Sequence, residues 1–347
     1  MNVPSTNRRI AELIKRFLSV ARERPWSFVL PLVFVVSSGR WFASFVAFPG
    51  SLGYDARVYS VAARAMLEGH NPWTAELNGG TIVGPPTTLI PYAPFAYLPQ
   101  EVSAALWIMG SFLIGALILR RLGLPPWWLA FPPLFDPIVL GNEEVLMVGL
   151  LVLGGRFAGL APLLKPYSVV PLVVQRRWRE IGVSIVVGLA TLVAVPWGTF
   201  IDSLPLIRER IVSQNFGDNA FGNPLLVAIA VVALLSLGSR PGAWFATPVL
   251  WPYAQTHYGL MTLPIMPPLL ALVWSLPIPE AITVGIVVLA VARAVARTRG
   301  WTLQDAPTEG LAGWLRPSPR PHERGGRDSG WRGPDRRRYS RPRDRTA

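Results

Sequence analysis

The sequence contains no cysteine, and only two of its 33 basic residues are lysine. The absence of cysteine excludes disulfides, Cys-ligated zinc and thiol catalysis. No Gly-rich phosphate loop, His-Glu-x-x-His helix or G-x-S-x-G elbow occurs. The chain also has no Asp-x-Asp pair, which disfavours a metal-bound nucleotide-sugar site of the usual soluble kind. We therefore expect neither a metal nor an organic cofactor.

Hydrophobic residues make up 51% of the chain and charged residues only 15%. Apolar stretches recur at the length needed to cross about 30 Å of hydrocarbon, which predicts an all-α multi-pass transmembrane protein. We expect about 10 helices, within a range of roughly 9–11, since some boundaries conflict with the charge rule. The net charge of +13 lies mainly at the ends and in short loops, which indicates topology and lipid headgroups rather than nucleic acid.

Three domains are predicted from these patterns. Residues 1–25 are basic with apolar residues at helical spacing, typical of a cytoplasmic amphipathic segment. Residues 26–297 form the helical membrane domain. Residues 298–347 are rich in Arg, Pro and Gly and poor in aliphatic residues, so we expect a disordered basic tail.

The distribution of basic residues predicts the topology. The first span, 26–48, leaves the cytoplasm and leads into a long external loop, 49–100, which holds a helix at about 56–68. The second span, 101–119, returns to Arg120 and Arg121 at the cytoplasmic face. The remaining predicted elements are spans at 124–140 and 145–155, a pair of short helices in 157–175 hinged at Lys165-Pro166, a span at 181–198, a second external loop at 199–221, and spans at 223–238, 242–256, 259–275 and 279–296.

Asp55 is the first candidate for chemistry, because it follows the first span directly. A carboxylate beside a half-buried aromatic loop can take a proton from an acceptor hydroxyl, which makes Asp55 a candidate general base. The alternative is a solvated loop acid or a cap for the helix that begins near residue 56.

Lys165 and His257 are the next candidates. Lys165 lies at a proline-marked hinge in an apolar stretch, where it could bind a lipid phosphate or simply extend to the membrane interface. His257 could carry a proton or contact a phosphate, but an interfacial histidine is about as often part of the hydrogen-bonded structure.

Other charged and aromatic residues have weaker patterns. Arg57, Arg208 and Arg210 face the outside and could hold a phosphate oxygen, although headgroup contacts are the more common role. Arg40 and Asp136 fall inside predicted spans, where we expect them to pair with each other. Tryptophans lie near several span ends, and Trp73 is one of them. Their position favours an interfacial aromatic belt, and the alternative is a surface on which a sugar binds.

The first external loop resembles that of a known enzyme family. The likeness rests on Asp55-x-x-x-Tyr59, Ala62-Ala63 and Gly69-x-Asn71-Pro72-Trp73, and continues through Pro91-x-x-Pro94, Gly141-Asn142, Leu164-Lys165-Pro166 and the region of His257-Tyr258. Over roughly residues 26–275 the chain is similar to glycosyltransferase family 87, in the C-type superfamily. The family usually runs longer at the C-terminal end.

The resemblance implies a specific activity. Such enzymes face outward in the cell membrane and transfer a mannose-like sugar from a polyprenyl-phosphate donor to a glycolipid or cell-envelope glycan, with inversion. By the same resemblance Asp55 is the catalytic base and Lys165 and His257 bind the donor phosphate. From their outward position, Arg57, Arg208 and Arg210 are expected to assist. The expected substrate-binding residues are Tyr59, Asn71, Trp73, Asn142 and Glu143. Membrane lipids are the other expected partners.

Two rival functions remain open at the level of sequence. A lipid or solute transporter or flippase also has proline-broken helices, although its ionisable residues usually lie near the membrane midplane. A non-catalytic member could bind glycolipid without transferring a sugar.

Overall fold

The structure, a computed structural model, describes residues 26–48, 50–214, 220–252, 254–276, 281–299, 301–303 and 315–317. The predicted amphipathic segment 1–25 lies outside the described residues, as does most of the predicted tail 298–347. Within that tail, two short strands, β1 (Trp301–Leu303) and β2 (Leu315–Pro317), pair antiparallel. The three-domain division therefore stays a prediction.

The first part of the chain follows the predicted pattern closely. Helix α1 spans Trp26–Ala47, α2 spans Tyr54–Leu67 in the loop after it, and α3 spans Gln100–Leu122. The last turn of α3 carries Arg120 and Arg121, and the helix ends at Gly123 in the left-handed conformation. Between α2 and α3, residues Pro86–Phe95 form a 3₁₀ helix.

Proline divides the middle of the chain into short helices. The elements here are 3₁₀ turns at Pro126–Ala130, Gly155–Leu160 and Pro166–Ser168, with helices α4 (Pro132–Leu140), α5 (Glu144–Leu153), α6 (Ala161–Leu164) and α7 (Val169–Val174). The predicted hinge at Lys165-Pro166 is confirmed, because α6 ends at Leu164 and a 3₁₀ turn begins at Pro166. The predicted span 124–140 is wrong as a single helix, since prolines at 132 and 133 restart the helix there.

The C-terminal half is also helical. Its helices are α8 (Trp178–Thr191), α9 (Trp197–Gln214), α10 (Pro224–Leu237), α11 (Ser239–Leu250), α12 (Pro268–Trp274) and α13 (Ala281–Thr298), with a 3₁₀ segment at Thr256–Ile265. Two predictions are corrected here. Most of the predicted loop 199–221 is helix α9, and the predicted span 259–275 is a 3₁₀ segment followed by a short helix, because prolines interrupt it.

Within the described part of the chain, three helices are long and apolar enough to cross a membrane: Phe28–Ala47, Gln100–Leu122 and Ala281–Thr298. All three carry exposed apolar side chains, among them Val35, Leu113 and Val288. Such surfaces suit contact with lipid. The structure is thus mostly helical, as predicted, while the count of about 10 crossings stays a prediction.

Two hydrophobic cores organise the part of the chain that the structure describes. The larger core joins helices from both halves of the chain, and the smaller one packs the residue 54–107 region against Ile207 of α9. Leu146 of α5 packs against both cores. The smaller core lies where α1 has ended and α3 begins, so it gathers the first loop at one end of these two candidate spans.

Candidate active site

Asp55 lies in the first turn of α2, and a glycine sets its position. The backbone amide of Gly53 donates to the carbonyl of Val139 at 2.9 Å, which ties the start of α2 to the end of α4. Gly53 has a φ of 69°, and a Cβ added there would lie 2.6 Å from Cβ of Ala104 in α3. Glycine is therefore needed to bring Asp55 this close to α3 and α4.

Asn142 holds the Asp55 carboxylate. Its side-chain amide donates to Oδ2 of Asp55 at 2.8 Å, while its Oδ1 accepts from the backbone amide of Glu144 at 3.0 Å. Because the second bond occupies the oxygen, the amide nitrogen of the buried Asn142 must face the carboxylate. In the described part of the chain, no hydrogen bond engages the other Asp55 oxygen, Oδ1, which remains able to accept a proton.

The surroundings of Asp55 change its acidity. Burial raises the pKa of Asp55 to about 6, although the hydrogen bond from Asn142 and the charge of His257 act in the opposite direction. A carboxylate with this pKa is ionised at neutral pH and is a stronger base than an ordinary aspartate. These are the properties of a general base.

Glu143 and Lys165 form a buried ion pair next to Asn142. Their Oε1 and Nζ atoms lie 2.7 Å apart, Glu143 is fully buried and Lys165 is 9% exposed. The hydroxyl of Tyr59 lies 3.2 Å from Oε1 of Glu143, and that of Tyr92 lies 3.3 Å from Oε2. The pair excludes the interpretation of Lys165 as a side chain that extends to the interface.

An aromatic stack supports this ion pair. The ring centroids of Tyr59 and Tyr92 are 4.8 Å apart, and those of Tyr92 and Trp107 are 3.8 Å apart, with nearly parallel planes in both pairs. The stack joins α2, the 3₁₀ helix of the first loop and α3. It fixes the two tyrosine hydroxyls that face Glu143.

The backbone around Lys165 is held from the first loop. Lys165 is extended (φ −138°, ψ 110°), as expected before Pro166. The hydroxyl of Thr88 donates to the carbonyl of Leu164 at 2.8 Å, and that of Thr87 bonds to the carbonyl of Leu163. The loop that carries Asp55 and the hinge that carries Lys165 are therefore joined directly.

His257 lies between two carboxylates. Its Nδ1 is 3.3 Å from Oδ2 of Asp136 and its Nε2 is 3.7 Å from Oε1 of Glu144, to which the hydroxyl of Tyr167 also donates. The predicted pairing of Asp136 with Arg40 is wrong, since Asp136 faces His257 and Arg40 is exposed. A carboxylate beside each ring nitrogen favours the charged imidazole, and the 3.7 Å separation from Glu144 is an ion-pair distance rather than a hydrogen bond.

Six ionisable side chains thus form what we call the charged cluster: Asp55, Asp136, Glu143, Glu144, Lys165 and His257. It has four carboxylates and two cations. The arginine ion pairs seen in the described ranges, Arg64 with Glu68 and Arg177 with Glu180, lie outside this cluster. The same ranges contain no group of three or more His, Asp or Glu side chains that could hold a metal ion.

The remaining predicted site residues lie elsewhere. Arg210 donates to the carbonyl of Trp73 at 2.7 Å and to the hydroxyl of Thr81 at 2.6 Å, so it anchors the first loop on α9. Asn71 bonds to Ser203 of α9 and caps the turn to Trp73, whose indole donates to Gly84. The last two residues are nearer the surface: Arg57 bonds to the carbonyl of Gly50, and Arg208 is exposed.

The structure also adds residues that the sequence reasoning missed. Asp136 and Glu144 belong to the charged cluster, and Tyr92 and Tyr167 contact it through Glu143 and Glu144, but none of the four was a candidate for the site. The consecutive acids Glu143-Glu144 between two apolar stretches were a usable signal, because two carboxylates at a membrane boundary need partners. No sequence signal indicates that Tyr92 and Tyr167 would supply them.

These features define a helical membrane protein with a polar, partly buried site at one end of its spanning helices. A model of glycosyltransferase family 87 matches residues 83–315, and the chain belongs to this family. Neither the curated proteins nor the solved structures gave a match to the chain. The matched range includes Glu143, Lys165 and His257 and begins after Asp55.

Proposed function

We propose that the protein transfers a sugar, mannose by the family resemblance, from a polyprenyl-phosphate donor to a hydroxyl of a glycolipid or cell-envelope glycan on the outer face of the cell membrane. Membership in glycosyltransferase family 87 supports the class of reaction. The observation that carries the proposal is the Asp55 carboxylate, held at Oδ2 by Asn142 with Oδ1 open and a pKa of about 6.

The proposed reaction is a single inverting displacement. The acceptor oxygen attacks the anomeric carbon while the bond from that carbon to the phosphate oxygen breaks, and the electron pair leaves with the lipid phosphate. Asp55 takes the proton of the acceptor hydroxyl through Oδ1. The enzyme then has to align the two substrates and stabilise the leaving phosphate.

Lys165 is the best-placed cation for that phosphate. Within the described ranges its ammonium forms an ion pair with Glu143, and an ammonium has three N–H donors. Both nitrogens of His257 already face carboxylates, so we assign His257 to positioning Asp136 and Glu144 rather than to the phosphate. Arg57 and Arg208 are left as candidates for contact with the lipid headgroup.

The substitution Asp55→Asn tests the proposal. Isolated membranes with labelled polyprenyl-phosphate mannose should show transfer with the wild type and a loss of roughly 10²–10⁴-fold with Asp55→Asn, because an amide cannot accept the proton. Glu68→Gln is the matched control, since it removes an exposed carboxylate at the other end of the same helix.

The outcomes separate the proposed enzyme from its rivals. Near-normal transfer by Asp55→Asn at normal expression would contradict the role of Asp55. A transporter would move the labelled lipid across the membrane without changing it, and a non-catalytic binding protein would retain the donor without releasing product.

A further inference from the structure

The positive charge of Lys165 is already balanced by a carboxylate in the structure. Glu143 lies 2.7 Å from its ammonium, is fully buried and is held in place by the hydroxyls of Tyr59 and Tyr92. A phosphate that reaches Lys165 therefore meets a second anion at contact distance from the same cation.

The charged cluster has no spare cation to offset this repulsion. Its four carboxylates outnumber Lys165 and His257, and His257 lies between Asp136 and Glu144. Like charges repel strongly where water is excluded, because the local dielectric is low. A phosphate and the Glu143 carboxylate cannot both contact Lys165 without a large loss of affinity.

We propose that Glu143 competes with the phosphate for Lys165, and that re-formation of the Glu143–Lys165 ion pair drives release of the lipid phosphate after each transfer. This inference rests on the proposed function and adds a step to it. Glu143, which the sequence reasoning assigned to substrate binding, acts here through Lys165 and is a positioning residue.

The charge on the phosphate increases during the reaction, which explains why competition from Glu143 would help the enzyme. The donor is a phosphodiester with one negative charge. Breaking the bond to the sugar leaves a phosphomonoester, whose second pKa is about 6 and whose charge therefore approaches two. Lys165 alone would hold the product more tightly than the donor, and the enzyme would be slowed by its own product. Because the Glu143 carboxylate pairs again with Lys165, it offsets the higher affinity of the lysine for the product than for the donor.

The variant Glu143→Gln in the full-length protein tests the inference. Its amide oxygen can accept from Tyr59 and its amide nitrogen can donate to Tyr92, whose own proton then goes to the carbonyl of Gly141 at 2.9 Å, while the competing charge is removed. Binding of inorganic phosphate and of a short-chain polyprenyl monophosphate should become about tenfold tighter or more, since the repulsion is lost. In turnover, KM for the donor should fall together with kcat, because release of the product becomes slower.

Stability measurements give a second readout. Glu143→Gln leaves Lys165 buried without its counterion, which should lower the thermal midpoint. Inorganic phosphate should restore more of that loss in Glu143→Gln than in the wild type. A residue with a purely structural role would lower the midpoint without gaining affinity for phosphate. The control Glu180→Gln removes the carboxylate of the Arg177 ion pair outside the cluster and should change neither phosphate affinity nor the KM and kcat pair.

Two further variants keep the inference open to contradiction. Glu143→Asp keeps the charge but shortens the side chain, so its phosphate affinity should lie between those of the wild type and Glu143→Gln. It provides the measurement if Glu143→Gln folds poorly. In a Lys165→Met background, Glu143→Gln should change phosphate binding much less, because no ammonium is left for the carboxylate and the phosphate to compete for. Unchanged or weaker phosphate binding by both Glu143 variants would overturn the inference. Because this assay needs no sugar transfer, its failure is distinct from an absence of transferase activity in the wild type.

Discussion

At the scale of single residues, Asp55 combines a hydrogen bond that favours its ionised form with burial that opposes ionisation. Burial dominates, and the pKa of Asp55 rises to about 6. The folded state therefore binds this proton more tightly than the unfolded chain does. The stabilising contribution of the protonated form is complete below the ordinary aspartate pKa and is lost as the pH rises through about 6.

The activity has the opposite pH dependence, because the base must be ionised. We expect kcat/KM for the donor to rise with pH and to level off above about 6. Replacing Asn142 by Asp removes the amide that favours the ionised form of Asp55 and adds a negative charge beside it. Both changes raise the pKa of Asp55, so the rise of kcat/KM should move to higher pH. The pH–rate profiles of the two enzymes measure the shift. A wild-type profile that is flat between pH 5 and pH 7 would contradict Asp55 as the base.

Lys165 gives a second prediction at this scale. Lys165→Ala should weaken use of the donor by about tenfold or more, because a charge-assisted contact with the phosphate is lost. Lys165→Arg should be only partly tolerated, since the planar guanidinium does not fit a site built around an ammonium. Donor KM and kcat for both variants provide the measurement. Full activity of Lys165→Ala would show that Lys165 does not bind the donor phosphate, and the exterior arginines would be the remaining candidates.

At the scale of elements, the turn between α4 and α5 places Asn142 against α2. Gly141 has a φ of 73°, and a Cβ there would lie 2.6 Å from Cβ of Ala56 and 3.0 Å from Cδ1 of Trp107. The substitution Gly141→Ala should push α2 away from the turn and break the bond between Asn142 and Asp55. We expect a stability loss of roughly 1–3 kcal/mol, from overpacking, together with a loss of transfer.

Gly123→Ala is the matched control for that prediction. Gly123 also has a positive φ, 69°, but a Cβ there would meet nothing within 4 Å. The substitution Gly123→Ala therefore introduces the same backbone strain but no contact with α2. Thermal unfolding and sugar transfer of the two variants separate the two effects. Equal losses in both would show that strain alone, and not the position of α2, accounts for the result.

The elements near the site were partly predictable from the sequence. Helix α2 and the hinge at Lys165-Pro166 follow from local signals, namely an apolar pattern and a proline. The ends of the middle helices were less clear, because prolines spaced along an apolar run leave the choice of break to tertiary packing. The partners of His257 could not be predicted, since Asp136 and Glu144 lie more than a hundred positions earlier in the chain.

At the scale of the whole molecule, the charge distribution predicts which parts face the outside. The absence of cysteine allows a direct test with single introduced cysteines. Glu76→Cys in the first loop should react with an impermeant thiol reagent in intact cells, and Trp178→Cys at the start of α8 should react only after the membrane is opened. Both side chains are exposed in the structure. The reverse pattern of labelling would invert the proposed orientation.

The charged cluster also imposes an order on the synthesis of the chain. Asp136, Glu143 and Glu144 are made before either of the cations that they contact. Lys165 follows within a short distance, so the Glu143 ion pair can form while the middle helices are still entering the membrane. His257 is made much later, and until then Asp136 and Glu144 are carboxylates without a cation near the membrane, a costly condition. The ribosome must therefore reach the segment Thr256–Ile265 before the first half of the protein can settle, and a chain that stops short of it would present unpaired acids to the quality-control proteases of the cell.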